Sequence, residues 1–223
     1  KFELGGGRFN EAVNVLQSYL QRYPGTKHES EVKALLIAAY YNSKDYDAAY
    51  AAIKEYPNPD SEIRAAQQKV AVLRAVKAVD RGDLATAEKL LKEAEKISLV
   101  PKYNALQLYW MGEVAYAQGN MERAVECYEA YMRRAPKSAK EYNFAHYGVG
   151  YAHFNRGEMD AAAASFNEFV RGYTNRDNYL YDAQNRLGDA RFALRDFANA
   201  RKAYKVVEQS ASELRHYAGY QMA

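Results

Sequence analysis

An alanine followed four residues later by a large residue recurs six times along this chain: Ala12/Leu16, Ala49/Ile53, Ala87/Leu91, Ala124/Tyr128, Ala162/Phe166 and Ala200/Tyr204. Successive alanines stand 37 or 38 residues apart. Self-similarity at such a period predicts a stacked array in which each unit buries its apolar face only against its neighbours. Other positions repeat with the alanine. A turn glycine lies five residues before it in Gly7, Gly82, Gly119 and Gly157, and is replaced by Lys44 and Arg195 in the remaining units. A small close-approach residue lies twelve before it, as Gly112, Gly150 and Gly188, and Pro24 and Pro136 close two of the units. The stretch Tyr109–Pro136 holds the whole pattern. There Gly112 lets a neighbouring helix approach, Gly119 permits the backbone to reverse, and Ala124 sits where two short antiparallel helices cross. Tyr128 is placed to plug the space between this pair and the next.

These residues resemble the tetratricopeptide repeat family over nearly the whole chain, most closely in units four to six. The third unit departs from the pattern, with Ala75 in place of the glycine and Arg74 on an apolar position. The period also exceeds the family's usual ~34 residues. The run Tyr19–Pro24 is similar to a bacterial cell-envelope subgroup with long repeats, which includes outer-membrane-protein assembly lipoproteins and periplasmic Tol-Pal coordinators. The resemblance implies an all-α, right-handed superhelical solenoid of stacked antiparallel helix pairs. It further implies a non-catalytic scaffold for a protein or peptide, with a periplasmic or outer-membrane-associated location.

The repeat divides a single array over 1–223 into units at 1–25, 26–59, 60–100, 101–137, 138–175 and 176–211, with a further helix beginning at 212–223. Helices are predicted at Arg8–Tyr23, Glu29–Asn42 and Tyr46–Tyr56, and a third unit spans Glu62–Ile97 with a turn at Arg81–Asp83. Thr26 with Glu29, and Ser138 with Glu141, read as capping boxes, and Asp60 or Ser61 as a cap. Pro57–Asp60 is the clearest break, and Asn175–Asn178 reads as an uncapped polar connector. Lys1–Leu4 is expected to end one helix and Ser212–Ala223 to begin another, so the sequence is expected to be a stretch of a longer array.

Composition sets limits on function. The 223 residues are 48% hydrophobic and 26% charged, and the net charge is only +3 with Lys and Arg scattered among Asp and Glu. That balance argues against a phosphate-tracking stripe and hence against nucleic acid. No apolar run approaches the ~20 residues that span a bilayer. Cys127 is the sole cysteine and reads as a packing residue. His146 and His153 stand seven apart on one helix face, but without the i, i+3 or i, i+4 spacing and converging ligands of a zinc site. Phosphate loops, nucleophile elbows and HExxH runs are missing. No catalytic, cofactor or metal residues are therefore assigned.

In the family, the first helix of each pair lines a concave groove through positions six and three before the close-approach residue and one, four and five after it. On this sequence the resemblance assigns Tyr109, Glu113 and Tyr116 in unit four, and Tyr147, Tyr151, Phe154 and Asn155 in unit five. It assigns Asp182, Asn185 and Asp189 in unit six, and Glu31, Ala34, Ala38, Tyr41 and Asn42 in unit two. The Lys and Asn of the family's carboxylate clamp are absent, since Tyr109/Glu113, Tyr147/Tyr151 and Asn185/Asp189 occupy those places. The groove is therefore expected to be aromatic in the middle and acidic towards unit six. Tyrosine suits a binding surface because it offers area at little entropic cost. The alternative is a spacer or self-association module without a groove ligand, joined end to end through Phe9/Val13/Leu16 and Leu214/Tyr217/Met222.

Overall fold

The computed structural model describes residues 7–56 and 58–223. It holds twelve α-helices among them: α1 Gly7–Arg22, α2 Glu29–Asn42, α3 Tyr46–Lys54, α4 Ser61–Asp80, α5 Leu84–Ile97, α6 Pro101–Ala117, α7 Met121–Arg134, α8 Tyr142–Asn155, α9 Met159–Gly172, α10 Asn178–Ala193, α11 Phe197–Glu208 and α12 Arg215–Met222. No strand occurs among the described residues. The helix end expected at Lys1–Leu4 and the Pro57 of the expected break lie outside them.

Contacts group the chain into two compact units, Lys1–Gln107 and Leu108–Ala223. In the first, α1 packs on α2, α2 on α3, α3 on α4 and α4 on α5; in the second, each helix from α7 to α11 packs on its successor. Short turns joining sequential neighbours make the pairs antiparallel. The helices α5, α7 and α11 each bury a single stripe at i, i+3, i+4 and i+7, as Ala124, Cys127, Tyr128 and Tyr131 do in α7. The equivalent stripe in α11 is Ala200, Ala203, Tyr204 and Val207.

The repeated alanine and the large residue after it have distinct jobs. Ala49, Ala87, Ala124, Ala162 and Ala200 are all essentially inaccessible, so each marks a helix crossing too close for a longer side chain. The Tyr128 ring lies between two glycines. A Cβ on Gly112 would stand 2.7 Å from the ring, and one on Gly148 would stand 2.6 Å from it. Phe166 seals the next pair against Gly150 and Tyr204 the last against Gly188, with corresponding separations of 2.8 and 2.5 Å.

The turn position is defined by its backbone. Gly82, Gly119 and Gly157 adopt φ of +77°, +80° and +76°, and Lys44 and Arg195 adopt the same left-handed conformation at 63° and 62°. The residue after each turn usually caps the second helix. Asp45, Asp83, Asn120 and Asp196 accept from Ala48, Thr86, Arg123 and Asn199 backbone N–H groups. Glu158 is the exception and instead meets His153.

Asp60 caps α4 as expected, through Glu62 and Ile63. The two capping boxes do not form. His28 holds the N-cap position of α2 without a side-chain cap to the helix N–H groups, and the Glu29 carboxylate accepts from the Gly25 N–H at 2.7 Å instead. Glu141, at the N-cap of α8, also makes no side-chain cap. Conversely, the connector before α10 is capped, because the Asp177 carboxylate accepts from Tyr179 and Leu180.

Candidate partner-binding face

In the first unit, all five groove residues assigned to the second repeat line one cleft. Glu31, Ala34, Ala38, Tyr41 and Asn42 of α2 face Ile63, Ala66 and Lys69 of α4 across about 340 Å³. Ile37 and Ile63 form its apolar floor and are buried, whereas Leu35 at the rim is 52% exposed. Glu31, Asp60 and Glu62 give the rim an acidic character. Tyr41 shares a hydrogen bond of 3.2 Å with Tyr103, which fixes its ring as one wall. The α4 side of this cleft was not named from sequence. Lys69 stands six residues before Ala75, where the same rule places a groove residue, but the irregular third repeat hides it.

The second unit arranges its aromatic residues differently from a set of free anchors. Tyr147 and Tyr151 of α8 pack ring to ring with centroids 5.0 Å apart, and both hydroxyls donate to the Asp182 carboxylate of α10. Burial first, then this carboxylate, pushes both tyrosine pKa values above the ordinary range. Tyr116 of α6 meets Tyr151 edge-on and accepts from the Asn155 amide at 3.1 Å. Phe154 packs, half-buried, on the cluster around Phe166 and Phe169. Arg186 then links Asp182 and Asp189 at 3.7 and 2.7 Å. The result is a wall of half-buried rings whose tyrosine hydroxyls are hydrogen-bonded, while the buried Nε of Arg186 has no hydrogen-bond partner among the described residues.

Two assigned residues are corrected. Tyr109 is 8% exposed and packs on Tyr128 and Tyr131, so it is part of the core and not an anchor. Asn185 is 1% exposed, and its amide donates to the Leu214 carbonyl at 3.4 Å. Two further residues have an inward task. Glu113 accepts from the Tyr128 hydroxyl at 2.8 Å, and Asp189 accepts from Tyr204 and Tyr217, each at 2.7 Å.

These bonds account for the acidic groove positions. An acid directly follows the close-approach glycine in the two pairs whose plug is a tyrosine, Glu113 with Tyr128 and Asp189 with Tyr204. Where the plug is Phe166, which has no hydroxyl to satisfy, Tyr151 takes the acid's place. A buried phenol must find an acceptor, and one carboxylate fifteen residues away supplies it.

The histidines have structural partners. His146 meets the Tyr142 ring edge-on, and His153 Nδ1 lies 2.6 Å from Glu158. Burial holds the His146 pKa below its ordinary value, against the pull of Glu168 and with the push of Lys137. Among the described residues no three His, Cys, Asp or Glu side chains gather as a metal site would require, and no helix is long and apolar enough to cross a membrane.

Comparison with known proteins agrees with this architecture. Residues 72–139 and 111–177 match the tetratricopeptide repeat profile, and residues 1–62 match an outer membrane lipoprotein profile. No curated protein sequence matches the chain significantly. Among solved structures, it is similar to YrrB, described as a TPR protein with an unusual peptide-binding site, at 13% identity and TM-score 0.65, covering 93% of this chain and 99% of that one. BtubC from P. vanneervenii is similar at 14% identity and TM-score 0.62, over 96% and 91% of the two chains. MamA aligns at 16% identity and TM-score 0.58, over 89% and 98%. At such identities the likeness concerns fold, and proteins of this fold are generally interaction scaffolds and typically non-catalytic. With its repeated alanines, plug rings and left-handed turns, the chain has the fold of tetratricopeptide repeat proteins, and its residues 72–177 match that repeat's profile.

Proposed function

We propose that this protein is a non-catalytic scaffold that holds a protein or peptide segment against the first helices of its repeats. The observation that carries the reading is the α2/α4 cleft, where the five positions that the family resemblance assigns in the second repeat line one opening of about 340 Å³. Its apolar floor and acidic rim suit an extended segment with small apolar side chains and a positive charge. In the second unit, Tyr116, Tyr147, Tyr151 and Phe154 offer ring edges and Asn155 an amide on one wall, while Tyr109 and Asn185 support it from within. YrrB's peptide-binding site supports the assignment of a peptide as ligand class. The likeness of residues 1–62 to an outer membrane lipoprotein profile supports a role in the bacterial cell envelope.

Affinity capture from separated envelope and soluble extracts of the source organism tests both parts. The bait is the wild type beside a Leu35→Asp, Ala38→Arg variant, which fills the cleft from exposed positions and should keep its helicity. The expected result is an envelope protein held by the wild type and lost by the variant. A partner held equally by both would overturn the cleft assignment, and a partner found only in the soluble extract would overturn the envelope assignment.

A further inference from the structure

The first unit has a second opening, on a different set of surfaces from the α2/α4 cleft. The end of α3, the first two turns of α4 and the length of α5 enclose about 750 Å³. Five cations line it: Lys54 from α3, Arg64 from α4, and Lys89, Lys92 and Lys96 from α5. Two carboxylates share the cleft, and both are already engaged. Glu93 accepts from the Tyr50 hydroxyl at 2.6 Å, from Lys54 at 2.9 Å and from Gln67 at 2.6 Å. Burial alone would raise the Glu93 pKa, but these three bonds outweigh it and hold the carboxyl below its ordinary value. Lys92 lies 2.6 Å from Glu88.

Arg64, Lys89 and Lys96 remain. All three are exposed, and none forms an ion pair with a described residue. Lys96, in the last turn of α5, suits the negative end of that helix. Arg64 has no such account, because it sits in the first turn of α4, where the helix dipole disfavours a cation. A guanidinium kept there faces the cleft with its planar fork available for a carboxylate.

We propose that this cleft docks an acidic protein segment through Arg64, Lys89 and Lys96, independently of the first-helix face. Its shape and charge favour that occupant. A bilayer surface is too flat to enter an opening between helices. A nucleic acid backbone would bring an unbroken line of phosphates against Glu88 and Glu93, whereas a peptide can space its carboxylates around them.

The test is fluorescence anisotropy with fluorescein-labelled octaglutamate, with circular dichroism confirming that each variant stays folded. The Arg64→Glu, Lys89→Glu, Lys96→Glu triple variant should bind about tenfold more weakly or worse, and its Gln counterpart should weaken by several-fold. A control triple at exposed positions elsewhere, Lys102→Glu, Lys137→Glu, Lys140→Glu, changes net charge equally and should stay within about twofold of wild type. Equal loss in the control, or no octaglutamate binding by the wild type, would overturn the proposal. So would tighter binding of single-stranded DNA or phosphatidylglycerol vesicles that the same triple variant abolishes.

Discussion

The ring of Tyr128 is pressed between Gly112 and Gly148 while its hydroxyl donates to Glu113, so one side chain joins packing to polar satisfaction. Gly112→Ala should therefore cost about 1–3 kcal/mol, since the new Cβ meets a ring with no room to withdraw. Gly119→Ala meets open space but keeps a left-handed φ, and should cost about 1 kcal/mol for that reason alone. Lys44→Gly and Arg195→Gly relieve the same strain and should stabilise by a few tenths to about 1 kcal/mol. Urea denaturation of the four variants checks both signs. Tyr128→Phe removes the donor to Glu113 and should cost about 1–2 kcal/mol. Glu113→Ala should then cost less in that background than in the wild type; equal costs in the two backgrounds would show that the pair is not coupled.

At the scale of the helix, termini matter as much as faces. Asp177→Ala should destabilise by about 1 kcal/mol by uncapping α10, and Ser138→Ala should change stability by no more than a few tenths, because no Ser138 cap exists. Acid also acts on an element, α8. The folded His146 binds a proton less readily than the unfolded one, so its contribution is present above about pH 6.5 and is lost as pH falls through that value towards the lower folded pKa. His146→Gln should flatten the fall in melting temperature between pH 7.5 and 5.5.

The helices themselves were legible in the sequence because the alanine and its plug recur at a fixed spacing; α2, predicted at Glu29–Asn42, has those bounds in the structure. Caps were less legible. Thr26 and Ser138 have the right residue three places on, but turns intervene and the boxes never close. Two of the second-helix caps follow a left-handed residue that is not glycine, Asp45 after Lys44 and Asp196 after Arg195, and a glycine-centred search passes over them. The acids at the groove were misleading for a different reason. Glu113 and Tyr128 belong to different helices, and only their contact shows that the acid serves the plug.

For the molecule as a whole, the repeat supplies a series of first helices whose groove positions are tied to the buried plugs beneath, as Glu113 is to Tyr128 and Asp189 to Tyr204. The plugs, turns and caps hold the helices; the cleft between α2 and α4 and the wall around Phe154 are what they hold in place. The partner is proposed to dock on this first-helix face. A photo-reactive benzophenone amino acid introduced in turn at Ala38, at Phe154 and at Val206, which is 46% exposed on α11, tests it in cells of the source organism. Cross-linked partner at Ala38 or Phe154, with none at Val206, is the result predicted. Adducts at Val206 alone, on the second-helix surface, would contradict the account.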